Sequence, residues 1–144
     1  MSQYLREKLP VHFRNEVLEE DFEGLEEIRL RVGWPMELYY GNRDIRLIGR
    51  VCSTDLDEML NYLTGYCLYA YEEQIRQGYF TIEGGHRVGV VGRTGVSTKK
   101  DGHTVVDGIW DISGLNIRIA HEKHGISMPI VPFLFMGNTL LKEA

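Results

Sequence analysis

Apolar side chains recur along this chain with two different periods, and each change of period marks the edge of an element. From Pro10, which suits a first helical turn, to about Glu20 the spacing is helical, with Phe13 and Val17 on one face and Leu18 beside them. The period then drops to two. Ile28, Leu30 and Val32 alternate with Arg29 and Arg31, which predicts a strand that buries the first set and turns both arginines the other way. Gly33-Trp34-Pro35 turns the chain, and Met36, Leu38 and Tyr40 repeat the alternation. Gly41-Asn42 then leads into a short third strand around Ile45 to Ile48.

Helical spacing returns with Leu56, Met59, Leu60 and Leu63; Thr54 fits the cap with Asp57 as its partner, and Gly65 fits the stop. A second helix from about Leu68 to Gln77 places Leu68, Tyr71 and Ile75 on one face, with Glu72 and Arg76 as an ion pair and Gly78 at its end. Strands follow at Tyr79 to Glu83 and at His86 to Gly92, joined through Gly84-Gly85, a two-residue hairpin signal. The polar stretch Thr94 to Thr104 reads as a mobile loop or hairpin tip around Asp101-Gly102. Asn116 to Ala120 is the last clear strand, with Ile117 and Ile119 on one face and Arg118 on the other. The expected fold class is α+β: about six strands in a mainly antiparallel sheet, with helices packed on one face.

Composition narrows the function classes. A chain of 144 residues with 43% apolar and 26% charged positions suits one folded domain. The formal charge of −5 disfavours a nucleic-acid-coating role, although a local basic face fits inside such a total. Cys52 and Cys67 read as the two ends of one helix, about 20 Å apart, so two free thiols are expected, as suits a reducing cytosol. Met1 to Pro10 lacks the apolar run of a signal peptide. The longest apolar stretch, Ile130 to Met136, is interrupted by Pro132 and is too short to span a bilayer, so a soluble protein is expected.

The glycine-rich stretch Gly84 to Gly95 (GGHRVGVVGRTG) invites a phosphate-loop reading, but no Gly-Lys pair occurs anywhere, and G-x-G-x-x-G is missing too. Glycines within a strand more often mark a bulge or a close backbone approach. His121 and His124, with Glu122 between them, lack the spacing of a zinc helix, so no metal site is assigned. No catalytic set stands out either. Glu26-Glu27 and Glu19-Glu20-Asp21 read as solvated charge. Arg87, Arg93 and Arg118 lie on or beside predicted strands. Guanidinium groups on a rigid sheet suit bidentate recognition of phosphate or carboxylate, and equally suit ordinary surface ion pairs.

Three segments carry a resemblance: EEIRLRVGWPMEL (Glu26 to Leu38), LYAYEEQIRQGYFTIEGGHRVGVVGR (Leu68 to Arg93) and DISGLNIRIAHE (Asp111 to Glu122). In this order they resemble the amino-terminal region of the stage III sporulation protein AA family, secretion-type ATPases of endospore-forming bacteria. The resemblance spans roughly Leu9 to Leu140. It implies that residues 1–126 form a domain similar to the PAS-like amino-terminal domain of type II and type IV secretion ATPases. Residues 127–144 would be a linker and the start of a strand leading to a P-loop motor. Asn138, Thr139 and Leu140 match the family's approach to its Walker A loop, and the sequence stops four residues later, so a piece lacking the motor is expected.

What the family implies for function follows from that division. The expected role is a regulatory and assembly domain of an ATPase that energises a channel between mother cell and forespore. It would sit in the mother-cell cytoplasm, peripheral to the membrane through channel components. The implied partners are its own RecA-like domain and neighbouring subunits of a hexamer, with ATP and magnesium bound by the parent protein and no cofactor by this piece. By position, Arg87, Arg93 and Arg118 match the arginines that reach nucleotide phosphates from this domain. Two other readings stand beside it. A free-standing ligand-binding module would use a pocket among Tyr39, Tyr71 and Trp110; a nucleic-acid binder would use Arg29, Arg31 and Arg46.

Overall fold

The strands pair as one sheet in the computed structural model, which describes residues 2–98, 100–102 and 104–121. Among these residues the strands are β1 (Glu27–Arg31), β2 (Pro35–Tyr40), β3 (Arg43–Arg50), β4 (Tyr79–Thr81), β5 (Arg87–Thr98) and β6 (Thr104–Arg118). Their spatial order is β3-β2-β1-β6-β5-β4, and every neighbouring pair is antiparallel. The helices are α1 (Ser2–Lys8), α2 (Val11–Arg14), α3 (Ser53–Leu63) and α4 (Glu72–Arg76), with 3-10 turns at Glu19–Phe22 and Leu68–Tyr71. The fold is α+β, as the alternation and helical spacing predict.

Alternation decides which face is buried. Ile28 and Leu30 of β1, Met36, Leu38 and Tyr40 of β2, Val88 and Val90 of β5, and Leu115 and Ile117 of β6 all point inward. They meet Leu5, Leu9, Phe13, Leu56, Met59, Leu60 and Leu63 from the helical layer in one core. Removing this apolar surface from water is the main stabilising term. Helices lie on this face alone among the described residues, so the opposite face of the sheet is open. Both edges of the sheet are blunted by a side chain: Glu16 accepts the Ile48 N–H at 3.1 Å and Gln74 accepts the Thr81 N–H at 3.2 Å.

Several expectations are corrected. The helix expected from Pro10 to Glu20 is instead α2 plus a separate 3-10 turn, and α1 precedes Pro10. The cause is tertiary. Arg6 donates to the Arg14 and Val17 carbonyls, and Arg14 donates to those of Glu7 and Leu9, so each arginine binds the free carbonyls that end the other's helix. Val32 is 40% exposed, not buried with Ile28 and Leu30. The chain has already turned there, with Gly33 at φ 89°. The cap of α3 is Cys52 rather than Thr54, and Asp55 rather than Asp57 receives its N–H. Arg76 also pairs with Glu73, at 2.9 Å. Of the two readings of Thr94 to Thr104, the hairpin tip around Asp101-Gly102 is the one observed, but its paired arms reach further than expected, and β6 begins at Thr104 rather than Asn116. The boundary at residue 126 and the strand at Asn138 to Leu140 lie outside the described residues.

Gly84-Gly85 does form the turn between β4 and β5, with φ of 92° and 84°. The Gly85 N–H bonds to the Ile82 carbonyl at 3.0 Å and the Ile82 N–H to the His86 carbonyl at 2.9 Å, so the loop runs over three residues, Glu83 to Gly85, rather than the two expected, and both glycines supply the positive φ it needs.

Candidate functional site on the open sheet face

Pairing register places the arginines. Along one row across the open face run Asp44, Tyr39, Glu27, Arg118, Arg87 and Thr81, each directly opposite the next. The neighbouring row is Arg46, Glu37, Arg29, Asn116, Gly89 and Tyr79. These rows plus Arg31 hold five arginines against three carboxylates, so a locally positive surface sits on a chain of formal charge −5.

The arginines are not equivalent. Glu37 is buried beneath Arg31 and Arg46, at 3.4 and 3.2 Å. Arg29 donates to Glu27 at 2.9 Å and stacks on the Tyr39 ring. That hydrogen bond, outweighing the cost of burial, raises the Arg29 pKa. Arg29, Arg31 and Arg46, the set a nucleic-acid binder would use, are therefore already matched by carboxylates. Arg118 lies 4.0 Å from Glu27, a contact without a hydrogen bond, and its side chain is 76% exposed. Arg87 stacks on Tyr79 at 4.5 Å and has no carboxylate partner among the described residues.

Of the three candidate phosphate contacts, the sheet unites two. Arg87 and Arg118 are cross-strand neighbours on β5 and β6. Side chains in such a pair have Cβ atoms about 5 Å apart, so both guanidinium groups can reach one anion. Arg93 stands six residues along β5, about 20 Å away, past a register shift between Val91 and Arg93. It faces Asp111 at 3.7 Å.

Gly89 and Asn116 complete the surroundings of the pair. A Cβ on Gly89 would meet Asn116 Nδ2 at 3.5 Å, so the amide lies over bare backbone beside the two arginines. On the other side of Arg118, a groove of about 290 Å³ is lined by Glu26, Glu27, Tyr39, Arg118, Ile119 and His121.

Glu27, read from the sequence as solvated charge, is corrected: its side chain is only 13% exposed and is bracketed by Arg29 and Arg118. A signal for this was present, since Glu27, Arg29 and Arg31 share one face at a spacing of two. Tyr39 and Tyr71 do not share a pocket. Tyr39 is on the open face under Arg29, whereas Tyr71 packs against the buried Phe80 ring at 5.1 Å on the other; the Trp110 side chain lies outside what is described. Among the described residues no group of three His, Cys, Asp or Glu side chains could hold a metal. His121 is exposed, while Glu122 and His124 lie outside the described residues. Both cysteines are free and exposed. No helix among the described residues is long and apolar enough to cross a membrane.

Fold and site together define an α+β domain that packs its helices on one sheet face and presents an arginine pair on the other. The chain belongs to the family described as Sporulation stage III, protein AA, which it matches over residues 3–142. It is 37% identical over 139 residues to the stage III sporulation protein AA of Bacillus subtilis strain 168, covering 94% of this chain and 44% of that protein. The chain thus spans less than half the length of that relative. A solved structure, the ATPase DotB of Legionella pneumophila, aligns with 77% of this chain and 29% of its own at 18% identity and a TM-score of 0.40.

Proposed function

We propose that this chain is the regulatory and assembly domain of a sporulation ATPase, and that Arg87 and Arg118 face the phosphates of ATP held by a separate motor domain. In this reading the full-length protein binds ATP and magnesium in a RecA-like domain and works as a ring of subunits. It energises a channel between mother cell and forespore from the mother-cell cytoplasm, through channel components at the membrane. The piece described here hydrolyses no ATP, because its sequence carries no Walker A motif.

The observation that carries the reading is the register. Two arginines directly opposite on an open sheet repel each other and disfavour the pairing. A phosphate between them relieves that repulsion with charge-assisted hydrogen bonds. The contact works from a second domain, as an arginine finger does on transition-state charge. Arg93, held apart beside Asp111, takes no part in this pair.

The test is to make Arg87→Ala and Arg118→Ala in the full-length ATPase and in this chain. Loss of such a contact lowers turnover by about 10³-fold or more when it acts as an arginine finger. Both positions are exposed on the sheet surface, so stability of this chain should change by under about 0.5 kcal/mol. Full activity of both variants overturns the reading. Unfolding of both would make the pair structural instead.

A further inference from the structure

Resting on that reading, the sheet assigns a further role to Glu27. We propose that Glu27 is an internal competitor for the anion site: its carboxylate holds Arg118 until a polyphosphate ligand displaces it, and Arg29 then keeps Glu27 satisfied.

Glu27 is opposite Arg118 in the β1–β6 register, while Arg87 is opposite Arg118 on the other side. Arg118 thus stands between one carboxylate and one arginine, and its guanidinium can serve only one anion well at a time. The two contacts of Glu27 differ in strength. Its bond from Arg29 is a hydrogen bond of 2.9 Å, whereas the approach of Arg118 is 4.0 Å. Arg118 is the partner more easily released, and its exposed side chain is free to swing. Glu27 itself is largely covered, and a covered carboxylate with no partner is costly. Arg29, clamped over Tyr39, removes that cost once Arg118 has left.

Among the described residues no other carboxylate forms an ion pair with Arg118 or Arg87; Glu26 lines the groove beside Arg118 without pairing to it. The residues beside the Arg87–Arg118 pair are Thr81, Asn116, Gly89 and Tyr79, none of them anionic. Arg87 is therefore the standing cation that meets the ligand first, and Arg118 is the cation whose availability Glu27 sets. The arrangement selects for charge density. A ligand with one negative charge gains little by displacing a carboxylate already in place, whereas a polyphosphate contacts both arginines.

The experiment titrates inorganic tripolyphosphate into the 144-residue chain at low salt. Binding is read from the arginine Nε–H resonances of Arg87 and Arg118, with acetate as the monovalent control. Glu27→Gln should bind tripolyphosphate about fivefold more tightly, the size of effect of one partly exposed ion pair. Arg29→Gln, which leaves Glu27 to Arg118 alone, should bind more weakly. In Glu27→Gln/Arg118→Ala the gain should vanish relative to Arg118→Ala, whereas a general field effect would persist through Arg87. Acetate affinity should not change in Glu27→Gln. If Glu27→Gln binds as the unaltered chain does, while Arg87→Ala and Arg118→Ala both weaken binding, the competitor role is overturned and the phosphate-facing pair stands. If Arg87→Ala and Arg118→Ala leave binding unchanged, the phosphate reading fails and the competitor role fails with it. The Arg29→Gln titration keeps the question decidable should Glu27→Gln not fold.

Discussion

His86 is fully buried, 0% exposed, and its Nδ1 accepts the Ala120 N–H at 2.9 Å. That bond assigns the proton to Nε2, which has no partner among the described residues. Burial, then the charges of His121 and the amino terminus, push its pKa down. The sign of the consequence is fixed. The unfolded chain takes up this proton near pH 6.5, while the folded chain resists until lower pH, so stability is complete above that range and falls as pH drops through it. Asp55 acts in the same direction at lower pH. Burial opposes its ionisation, but the Cys52 N–H, the Cys52 thiol and His12 together hold its pKa below the ordinary carboxylate value. The stability Asp55 contributes is lost only as pH falls through that lowered value. We therefore expect His86→Leu to be less stable than the unaltered chain at pH 7.5 by about 1–3 kcal/mol, because the Ala120 N–H loses its acceptor. The gap should narrow at pH 5.5, since only the unaltered chain suffers the histidine penalty. Urea unfolding at both pH values checks this, and an equal gap at both would show that His86 is not the titrating group.

At the scale of elements, the end of α3 gives the cleanest test. The Tyr66 N–H reaches back to the Asn61 carbonyl at 2.7 Å and the Gly65 N–H to that of Tyr62 at 3.3 Å, the bonding pattern of a Schellman stop. Gly65 sits at φ 63° with nothing within 4 Å of where a Cβ would be, so substitution there acts on backbone conformation alone. Gly65→Ala should cost about 1 kcal/mol, read from the urea midpoint with an unchanged slope. An unchanged midpoint would mean that the helix end tolerates refolding into another cap. This stop was legible in the sequence, as were β1, β2 and the Gly84-Gly85 hairpin, because each depends on residues close in the chain. The long β6 was not. Register shifts between Val91 and Arg93 and between Gly95 and Val96 break the two-residue period, and Asp111 adopts φ 48°. The helix expected from Pro10 to Glu20 failed for a different reason, since the Arg6–Arg14 exchange that divides it is a contact between segments. The same limit applies to the candidate site. Alternation identifies Arg87 and Arg118 as strand-face cations, but their direct opposition comes from the pairing of β5 with β6, which no local pattern encodes.

At the scale of the whole molecule, the open sheet face is locally positive on a chain of formal charge −5, and that sets what the isolated chain can bind. The open face gathers arginines, yet Arg29, Arg31 and Arg46 are matched by Glu27 and Glu37, which leaves Arg87, and Arg118 once Glu27 releases it, for a ligand. Contacts of exposed charges are worth about 0–1 kcal/mol each, because water and salt screen them. Two such contacts supply roughly 2 kcal/mol, whereas micromolar affinity requires about −8 kcal/mol. No backbone cradle closes the difference, since the sequence has no G-x-x-x-x-G-K-[ST] loop and the strands beside the pair present an open surface. We therefore expect this chain to bind magnesium-ATP with a dissociation constant no tighter than about 1 mM, or roughly −4 kcal/mol. Calorimetry at physiological salt measures it. The weak binding that remains should fall as salt is raised, and Arg87→Ala/Arg118→Ala should abolish it, because screened charge is all that sustains it. Micromolar binding that survives the double substitution would overturn the expectation, because an affinity of that size needs an enclosed nucleotide site elsewhere on the chain.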